Sequence, residues 1–202
     1  MIVHYGGTDS VRRKELMMAN RPPSNENLAY HVARLLILIG QCGKPQDRSG
    51  KLPAIQGRTL LAKLDFFMRY PSYLKRAAQI KDLTCSDSDL GIEYPDEINT
   101  VESHMIRYLY GPWDSIYYTA IAYMVGKQLI EPPIAEKVET FKLSPKGKEI
   151  LSQMESDPAF SDLTRRAKTI YHLFNSYGGT RLKSFIYDNF PEVVNRGIGE
   201  EI

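Results

Sequence analysis

The chain has 202 residues, of which 43% are hydrophobic and 25% charged, so its composition is that of a globular protein and excludes disordered and fibrous folds. The formal net charge is +2, from 26 basic and 24 acidic residues, which is far from the strongly basic balance that by itself indicates nucleic-acid binding. The only cysteines, Cys42 and Cys85, form no CxxC pair, and we expect both to be buried thiols in a reducing compartment.

The N-terminal segment mixes glycine and charge and has no basic stretch leading into an apolar run, so we expect no signal peptide. The longest apolar run, 35–39, is far shorter than the roughly 20 residues that span a bilayer. These features predict a cytoplasmic protein with no membrane partner. Residues 1–23, which end at the break Pro22-Pro23, are predicted to form a peripheral arm.

The spacing of apolar residues predicts a first core helix over 24–40, with Ser24 as its N-cap, and a second helix over about 58–69. The stretch 43–56 between them is rich in glycine, proline and charge, and helical periodicity resumes only after it. A shorter helix is expected at 73–80. The acidic segment near 82–98 then favours a loop insertion.

The pattern after this loop changes from extended to helical. Alternation over 102–110 favours an extended segment, and Asp114 is a good N-cap for a helix that ends near Gly126. Leu129-Ile130 and 140–143 bracket a Pro132-Pro133 turn, which predicts two short strands forming a β wing. Further helices are predicted at 144–154, 161–177 and 180–189.

This order of helix, helix, helix, strand, turn, strand and helix is that of a winged helix-turn-helix. The predicted fold is therefore mainly α with a small β wing. We expect a winged-helix domain at 24–155 and a C-terminal helical extension at 156–202. The alternative is an unrelated helical bundle.

The predicted third helix is poorly suited to reading DNA bases. Winged helices that read DNA present Arg, Lys, Asn or Gln to base edges, whereas this helix has no basic residue before Lys127. Tyrosine and tryptophan are enriched at protein interfaces, and the alternative is that these aromatics belong to the core. The predicted partner-binding residues are Trp113, Tyr117, Tyr118, Tyr123, Phe185 and Tyr187.

Basic residues cluster in three other places, where they could contact phosphates without reading sequence. The alternative is that they are ordinary solvated helix faces. The predicted contacts to a nucleic-acid backbone are Lys44, Arg48, Lys51, Arg58, Arg165, Arg166, Lys168, Arg181 and Lys183.

No pattern in the sequence indicates catalysis. The four histidines have no metal-ligand spacing, and no Walker loop, GxSxG elbow or Rossmann fingerprint occurs. A nuclease beginning at Pro95-Asp96 would need a metal site, and Glu139-x-x-Lys142 has the wrong spacing to complete one. We therefore expect no enzyme activity, catalytic residue, metal, cofactor or small-molecule substrate.

Four segments carry a resemblance: GRTLLAKLDFFMRYPSYL (57–74), YGPWDSIYYTAIAYMVGKQLIEPP (110–133), FKLSPKGKEIL (141–151) and GGTRLKSFIYDNFPEV (178–193). The chain resembles the winged-helix middle components of bacterial Lamassu-type defence systems, which are built around an SMC-like ABC ATPase. The resemblance implies a non-catalytic adaptor that links this ATPase to an effector such as a nuclease, in defence against phages or plasmids.

The YGPW segment also resembles winged-helix antitoxin-like Panacea proteins. This second resemblance keeps an alternative open, because fold alone does not determine function. The alternative is a transcriptional regulator or antitoxin-like repressor of its own operon. Such a repressor could bind DNA through its wing, with Lys137, Lys142 and Lys146.

Overall fold

The computed structural model describes residues 27–45, 52–92, 95–99, 101, 103–133 and 138–202. Within these ranges the protein is mainly helical with a small antiparallel sheet, as the sequence predicts. The predicted arm at 1–23 and the predicted backbone-binding residues Arg48 and Lys51 lie outside them. The α-helices are α1 (Leu28–Cys42), α2 (Arg58–Arg69), α3 (Pro71–Ile80), α4 (Ile116–Gly126), α5 (Pro145–Ser156), α6 (Ser161–Phe174), α7 (Gly179–Asn189) and α8 (Pro191–Val194).

Two helix starts illustrate how local sequence sets the boundaries. The Oδ1 of Asn27 accepts the N–H of Tyr30 at 3.1 Å, so Asn27, and not the predicted Ser24, caps α1. Ser144 caps α5 by accepting the N–H of Gly147 at 2.9 Å, with proline at the first helical position, as predicted. A Cβ at Gly147 would lie 1.9 Å from the carbonyl oxygen of Leu129, so only glycine lets α5 pack this closely against the segment after α4.

The described residues contain five short strands, β1 (Lys44–Pro45), β2 (Pro53–Gln56), β3 (Ile106–Tyr108), β4 (Gly111–Trp113) and β5 (Thr140–Lys142). Strands β1, β2 and β5 form one antiparallel sheet in that order, and β3 and β4 form a separate hairpin. Both β1 and β2 fall in the stretch 43–56, for which the sequence predicted no strand. The partner that makes β2 a strand is β5, which is distant in sequence and invisible to a local pattern.

The predicted pairing of the two wing strands is only partly present. Ile130 and Leu143 form a single antiparallel bridge, and the N–H of Glu131 donates to the carbonyl of Lys142 at 2.9 Å. Strand β5 instead pairs along its length with β2, with Phe141 opposite Ile55. Strand β5 therefore belongs to a sheet whose central strand comes from between α1 and α2.

Helix α1 is the centre of the hydrophobic core. Each residue from Leu35 to Ile39 is at most 1% exposed, so this part of the helix is buried on all sides. It packs against α4, α6 and β2. Leu182 and Ile186 of α7 belong to the same cluster of buried side chains, so the predicted extension at 156–202 shares its core with the rest of the fold.

The β3–β4 hairpin lies against α2 and is held by the last residues of the chain. The N–H of Arg107 donates to the carbonyl of Glu200, and the N–H of Ile202 donates to the carbonyl of Met105, both at 2.8 Å. The hairpin turn faces solvent, because Leu109 is 54% exposed and Tyr110 is 58% exposed. The hairpin thus presents aromatic side chains just before α4 begins.

Candidate functional site

A buried group of charged side chains lies behind the N-terminal half of α4. The carboxylate of Asp65 accepts the Nε of Arg34 at 2.6 Å, the Nε of Arg69 at 2.8 Å and the hydroxyl of Tyr117 at 2.8 Å. Arg69 also donates from Nη1 to Asp114 Oδ2 at 2.6 Å. Asp114 in turn accepts the N–H of Ile116 at 2.9 Å, at the start of α4. We call Arg34, Asp65, Arg69, Asp114 and Tyr117 the ionic network.

The pKa values show that the ionic network is a charged one. Burial acts to raise the pKa of Asp65, but the charges of Arg34 and Arg69, with their hydrogen bonds, outweigh it and hold that pKa well below its usual range. Burial, followed by the negative charge of Asp65, raises the pKa of Tyr117 well above its ordinary value. Because Asp65 is ionised and Tyr117 is protonated, the bond between them joins a phenol donor to a carboxylate.

His31 lies beside this network. Its Nδ1 is 2.9 Å from Nη2 of Arg34. Burial, together with the positive charges of Arg34 and Arg69, lowers the pKa of His31 to about 4. The imidazole is therefore neutral at pH 7. It is also enclosed, at 1% exposure, so it belongs to the interior of the fold.

Helix α4 turns an uncharged surface to solvent. Its buried side consists of Tyr117, Ala120, Ile121 and Met124, and the residues between them are exposed. The exposed side includes Tyr118 at 58% and Tyr123 at 40% exposure. No residue from 115 to 126 is charged. We call the exposed side chains of Tyr118, Thr119, Ala122 and Tyr123 the α4 face.

An open aromatic cleft of about 400 Å³ adjoins the α4 face at its N-terminal end. Tyr108, Tyr110, Trp113 and Tyr118 line it. The ring of Trp113 lies 6.1 Å from that of Tyr108 and 6.0 Å from that of Tyr118, measured between centroids. Gly111 also lines the cleft and has φ +118°, a backbone conformation that favours glycine.

Cations surround the aromatic cleft. The guanidinium of Arg58 lies 4.8 Å from the ring centroid of Tyr118 and donates from Nε to Glu139 at 2.9 Å. The ammonium of Lys183 lies 5.8 Å from the ring of Tyr110 and donates to the carbonyl of Leu109 at 3.3 Å. The cleft therefore combines aromatic surface with a positive border.

Lys63 adds a further cation beneath Gly111, where its side chain is only 2% exposed. A Cβ at Gly111 would lie 3.2 Å from Cε of Lys63. The ammonium donates to the carbonyl of Thr59 at 2.9 Å. Burial, with the charge of Lys183 as a smaller cause, lowers the pKa of Lys63 to about 8. Lys63 is therefore a buried cation that the fold holds close to the cleft without an ion-pair partner among the described residues.

The structure separates the predicted partner-binding residues into three groups. Trp113, Tyr118 and Tyr123 are in the cleft or on the α4 face, and Tyr187 is half-buried beside Lys183, whose ammonium lies 5.1 Å from its ring. Phe185 is half-buried in an aromatic cluster, 5.2 Å from Phe174 between ring centroids.

Tyr117 corrects that prediction. Tyr117 is fully buried, and its hydroxyl donates to the carboxylate of Asp65. The prediction of Tyr117 as a surface residue that binds a partner was therefore wrong. The four positions 117–120 show the helical alternation directly: two exposed residues stand between two buried ones.

The structure also places the cations that were predicted to bind a nucleic-acid backbone in several different surroundings. Arg58 and Lys183 border the cleft, Arg181 stacks 4.1 Å from the ring centroid of Tyr177, and Arg165 pairs with Asp162. Lys44 and Lys168 are exposed on β1 and α6.

Arg166 was predicted wrongly as a phosphate contact. It is 5% exposed, and its guanidinium donates to the backbone carbonyls of Leu90, Met68 and Gly91. Its role is to tie the segment before residue 92 to α6. A buried guanidinium that satisfies three carbonyls has little capacity left for a ligand.

Two features of the site escaped the sequence prediction. Tyr108 and Tyr110 were assigned to an extended segment without a role, and the turn after Tyr108 lacks the Asn-Gly or Asp-Gly pair that would have predicted a hairpin. Asp65 and Arg69 stand four residues apart among apolar residues of a core helix. Charged residues on the apolar face of a helix are a usable signal, because buried charges occur in pairs.

Within the described ranges, no group of three or more histidine, cysteine or acidic side chains could hold a metal ion, and no helix is long and apolar enough to cross a membrane. Comparison with protein-family models, with curated proteins and with solved structures finds no match to the chain. The α4 face and the aromatic cleft are the two exposed features of the described residues whose geometry bears on function.

Proposed function

We propose that the protein is a non-catalytic winged-helix adaptor that docks onto a partner protein through the α4 face. The partner contributes a complementary uncharged surface. In line with the resemblance of the sequence, we propose an SMC-like ATPase as this partner and an effector subunit as a second one, bound elsewhere on the chain.

The uncharged α4 face is the observation that carries this proposal. A surface helix ordinarily places charged residues opposite its apolar side, and α4 has none from 115 to 126. Its exposed tyrosines combine apolar area with a hydrogen-bonding group, which is why tyrosine is enriched where proteins bind one another. Charged residues are depleted in the centre of protein interfaces, and α4 likewise has none from 115 to 126.

The ionic network supports the proposal by fixing α4 from behind. Tyr117 and Asp114 connect the first turn of α4 to Asp65 and Arg69 of α2. A docking helix held in one position loses little conformational freedom on binding, so more of the contact energy appears as affinity. This is a reason for placing ionic bonds behind a surface that itself carries no charge.

The sheet topology supports the winged-helix part of the proposal. Strand β2 lies between α1 and α2 and pairs with β5, and Ile130 bridges to Leu143 just after α4. In the proposed winged-helix fold, α4 would be the recognition helix. Its exposed side chains lack the donors that read bases, which argues against the alternative of a sequence-specific repressor.

The test is co-purification of the tagged chain, expressed with its neighbouring genes, followed by identification of bound subunits by mass spectrometry. Ala122→Glu places a charge in the middle of the α4 face, where docking would bury it without a partner. We expect this variant to lose the ATPase while keeping the melting temperature of the unmodified protein. Gln153→Glu adds the same charge to the exposed side of α5 and should retain the complex.

Two results would count against the adaptor. Retention of the ATPase by folded Ala122→Glu would remove the α4 face from the interface. Recovery of the unmodified chain without partners, together with tight and specific binding to its own promoter, would favour the repressor instead.

A further inference from the structure

The aromatic cleft shares Tyr118 with the α4 face and adds the rings of Tyr108, Tyr110 and Trp113. Tyr110 and Tyr118 are each 58% exposed, and the half-buried Trp113 lies between Tyr108 and Tyr118, so the cleft offers aromatic surface to a flat ligand. Its volume of about 400 Å³ is within the range of small-molecule sites and can enclose a flat ring system, but not a helix or a duplex.

The cations at the cleft are arranged around these rings. Arg58 is above Tyr118, and Lys183 lies between the rings of Tyr110 and Tyr187, at 5.8 and 5.1 Å from their centroids. Glu139 balances Arg58, which leaves Lys183 and the buried Lys63 without a carboxylate at ion-pair distance among the described residues. The local charge is therefore positive even though the whole chain is close to neutral.

We propose that the aromatic cleft binds a single-stranded segment of nucleic acid. A base stacks on the ring of Tyr110 or Trp113, and the adjoining phosphate is held by Lys183. Stacking platforms bordered by cations are the general means by which proteins hold single strands without reading their sequence, since every base has an aromatic face. This activity goes beyond the adaptor function and does not depend on it.

A single strand fits this cleft better than a duplex does. In a duplex the bases stack on each other and present only their edges in the grooves, so the exposed ring of Tyr110 would have nothing to stack on. An acidic protein segment would satisfy Lys183 but would leave the aromatic faces without flat partners. The ring surfaces thus favour a base, and the cation favours its phosphate.

The test measures binding of a fluorescently labelled oligothymidylate of about 12 nucleotides to the purified full chain, by anisotropy at low salt. Trp113 is the only tryptophan in the chain, so its fluorescence gives a second, local readout. We expect saturable binding that quenches Trp113, and clearly weaker binding of a duplex of equal length. A polyglutamate peptide of equal charge should compete poorly.

Two variants with matched controls locate the contact. Tyr110→Ala, at an exposed turn, should weaken binding about ten-fold and reduce the quenching. Lys183→Ala should weaken binding and lower the slope of log affinity against log salt by about 0.7. The controls are Tyr171→Ala on α6 and Lys148→Ala on α5, which remove an exposed tyrosine and an exposed lysine away from the cleft. Both controls should bind the oligonucleotide as the unmodified chain does.

Several outcomes would overturn the proposal. Absence of binding, equal binding of the duplex, or full affinity of folded Tyr110→Ala would each exclude base stacking in the cleft. Equal competition by polyglutamate would assign the cleft to an acidic protein segment. These results leave the adaptor test unaffected, because Ala122→Glu lies on the α4 face and its readout is recovery of the ATPase.

Discussion

The two sides of α4 reverse the usual distribution of charge in a protein. Behind the helix, Asp65 and two arginines are buried and ionised. In front of it, Tyr118 and Tyr123 are exposed on a helix that has no charged residue from 115 to 126. Ordinarily the interior is apolar and the exterior charged, because an unpaired charge is costly to bury and an exposed one is well solvated.

This reversal indicates that each side of α4 has its own task. A buried ionic network contributes little net stability over an apolar core, but it requires its partners in one geometry. An uncharged exposed face is of little use to a solitary chain, but it suits a surface that becomes buried on association. The inner side of α4 thus sets the position of the helix, and the outer side is available for contact.

The largest loss of stability is expected from a substitution that disrupts the ionic network on the inner side of α4. Asp65→Ala leaves Arg34 and Arg69 buried without their carboxylate, and should lower the free energy of unfolding by about 3–5 kcal/mol. Asp87→Ala removes an exposed carboxylate that is 2.6 Å from Lys75, and should cost less than about 1 kcal/mol. Urea denaturation of both variants makes the comparison; equal losses would show that the ionic network has no special role.

A smaller change in the free energy of unfolding is expected at Lys63. Among the described residues, its buried charge has no carboxylate partner of the kind that Asp65 provides for Arg34 and Arg69. Its pKa is lowered from 10.5 to about 8, so below pH 8 the folded state carries a buried ammonium at a cost in stability. Between pH 8 and 10.5 the unfolded chain binds more protons than the folded one, and the stability of the unmodified protein should therefore rise with pH.

Lys63→Met removes this cost and should raise the free energy of unfolding by about 2–3 kcal/mol at pH 7. The gain should shrink as the pH increases towards 10.5, where both states of the unmodified chain have lost the proton. Urea denaturation across this pH range measures it, with Lys148→Met as the exposed control. A gain that does not change with pH would mean that the ammonium is not the cause.

The smallest change in stability is expected from the loss of one hydroxyl group. Here the two sides of α4 can be compared directly, because Tyr117 and Tyr118 are adjacent in the sequence. Tyr117→Phe removes the hydroxyl that donates to Asp65 at 2.8 Å, and should lower the free energy of unfolding by about 1–2 kcal/mol. Tyr118→Phe removes an exposed hydroxyl and should change it by less than about 0.5 kcal/mol. Thermal unfolding of the two variants decides the question, and similar melting temperatures would contradict the assignment of inner and outer sides.

The helices were largely predictable from local patterns, whereas the sheet was not. The helix predicted over 58–69 has those bounds in the structure, because apolar spacing and the following Tyr-Pro step determine it locally. Strand β2 could not be predicted in the same way, because it depends on β5, which is far away in the sequence. Pairing between distant segments leaves only a weak trace in either one.

The candidate site was predicted in part. Trp113, Tyr118, Arg58 and Lys183 were each singled out from the sequence, although as members of two separate sets. Only the fold brings them to one cleft, because α2, α7 and the β3–β4 hairpin converge there. Residue type indicated what each side chain could bind, but not which side chains would act together.

The sequence by itself determined the mainly helical class of the fold and the absence of charge along α4. Both follow from residue identities at short spacing, which is where helix formation is decided. Only the tertiary structure decided that Tyr117 faces Asp65 while Tyr118 faces solvent, and that Arg166 is buried while Arg58 borders a cleft. Exposure depends on which distant segments pack against a residue, and that depends on the whole chain.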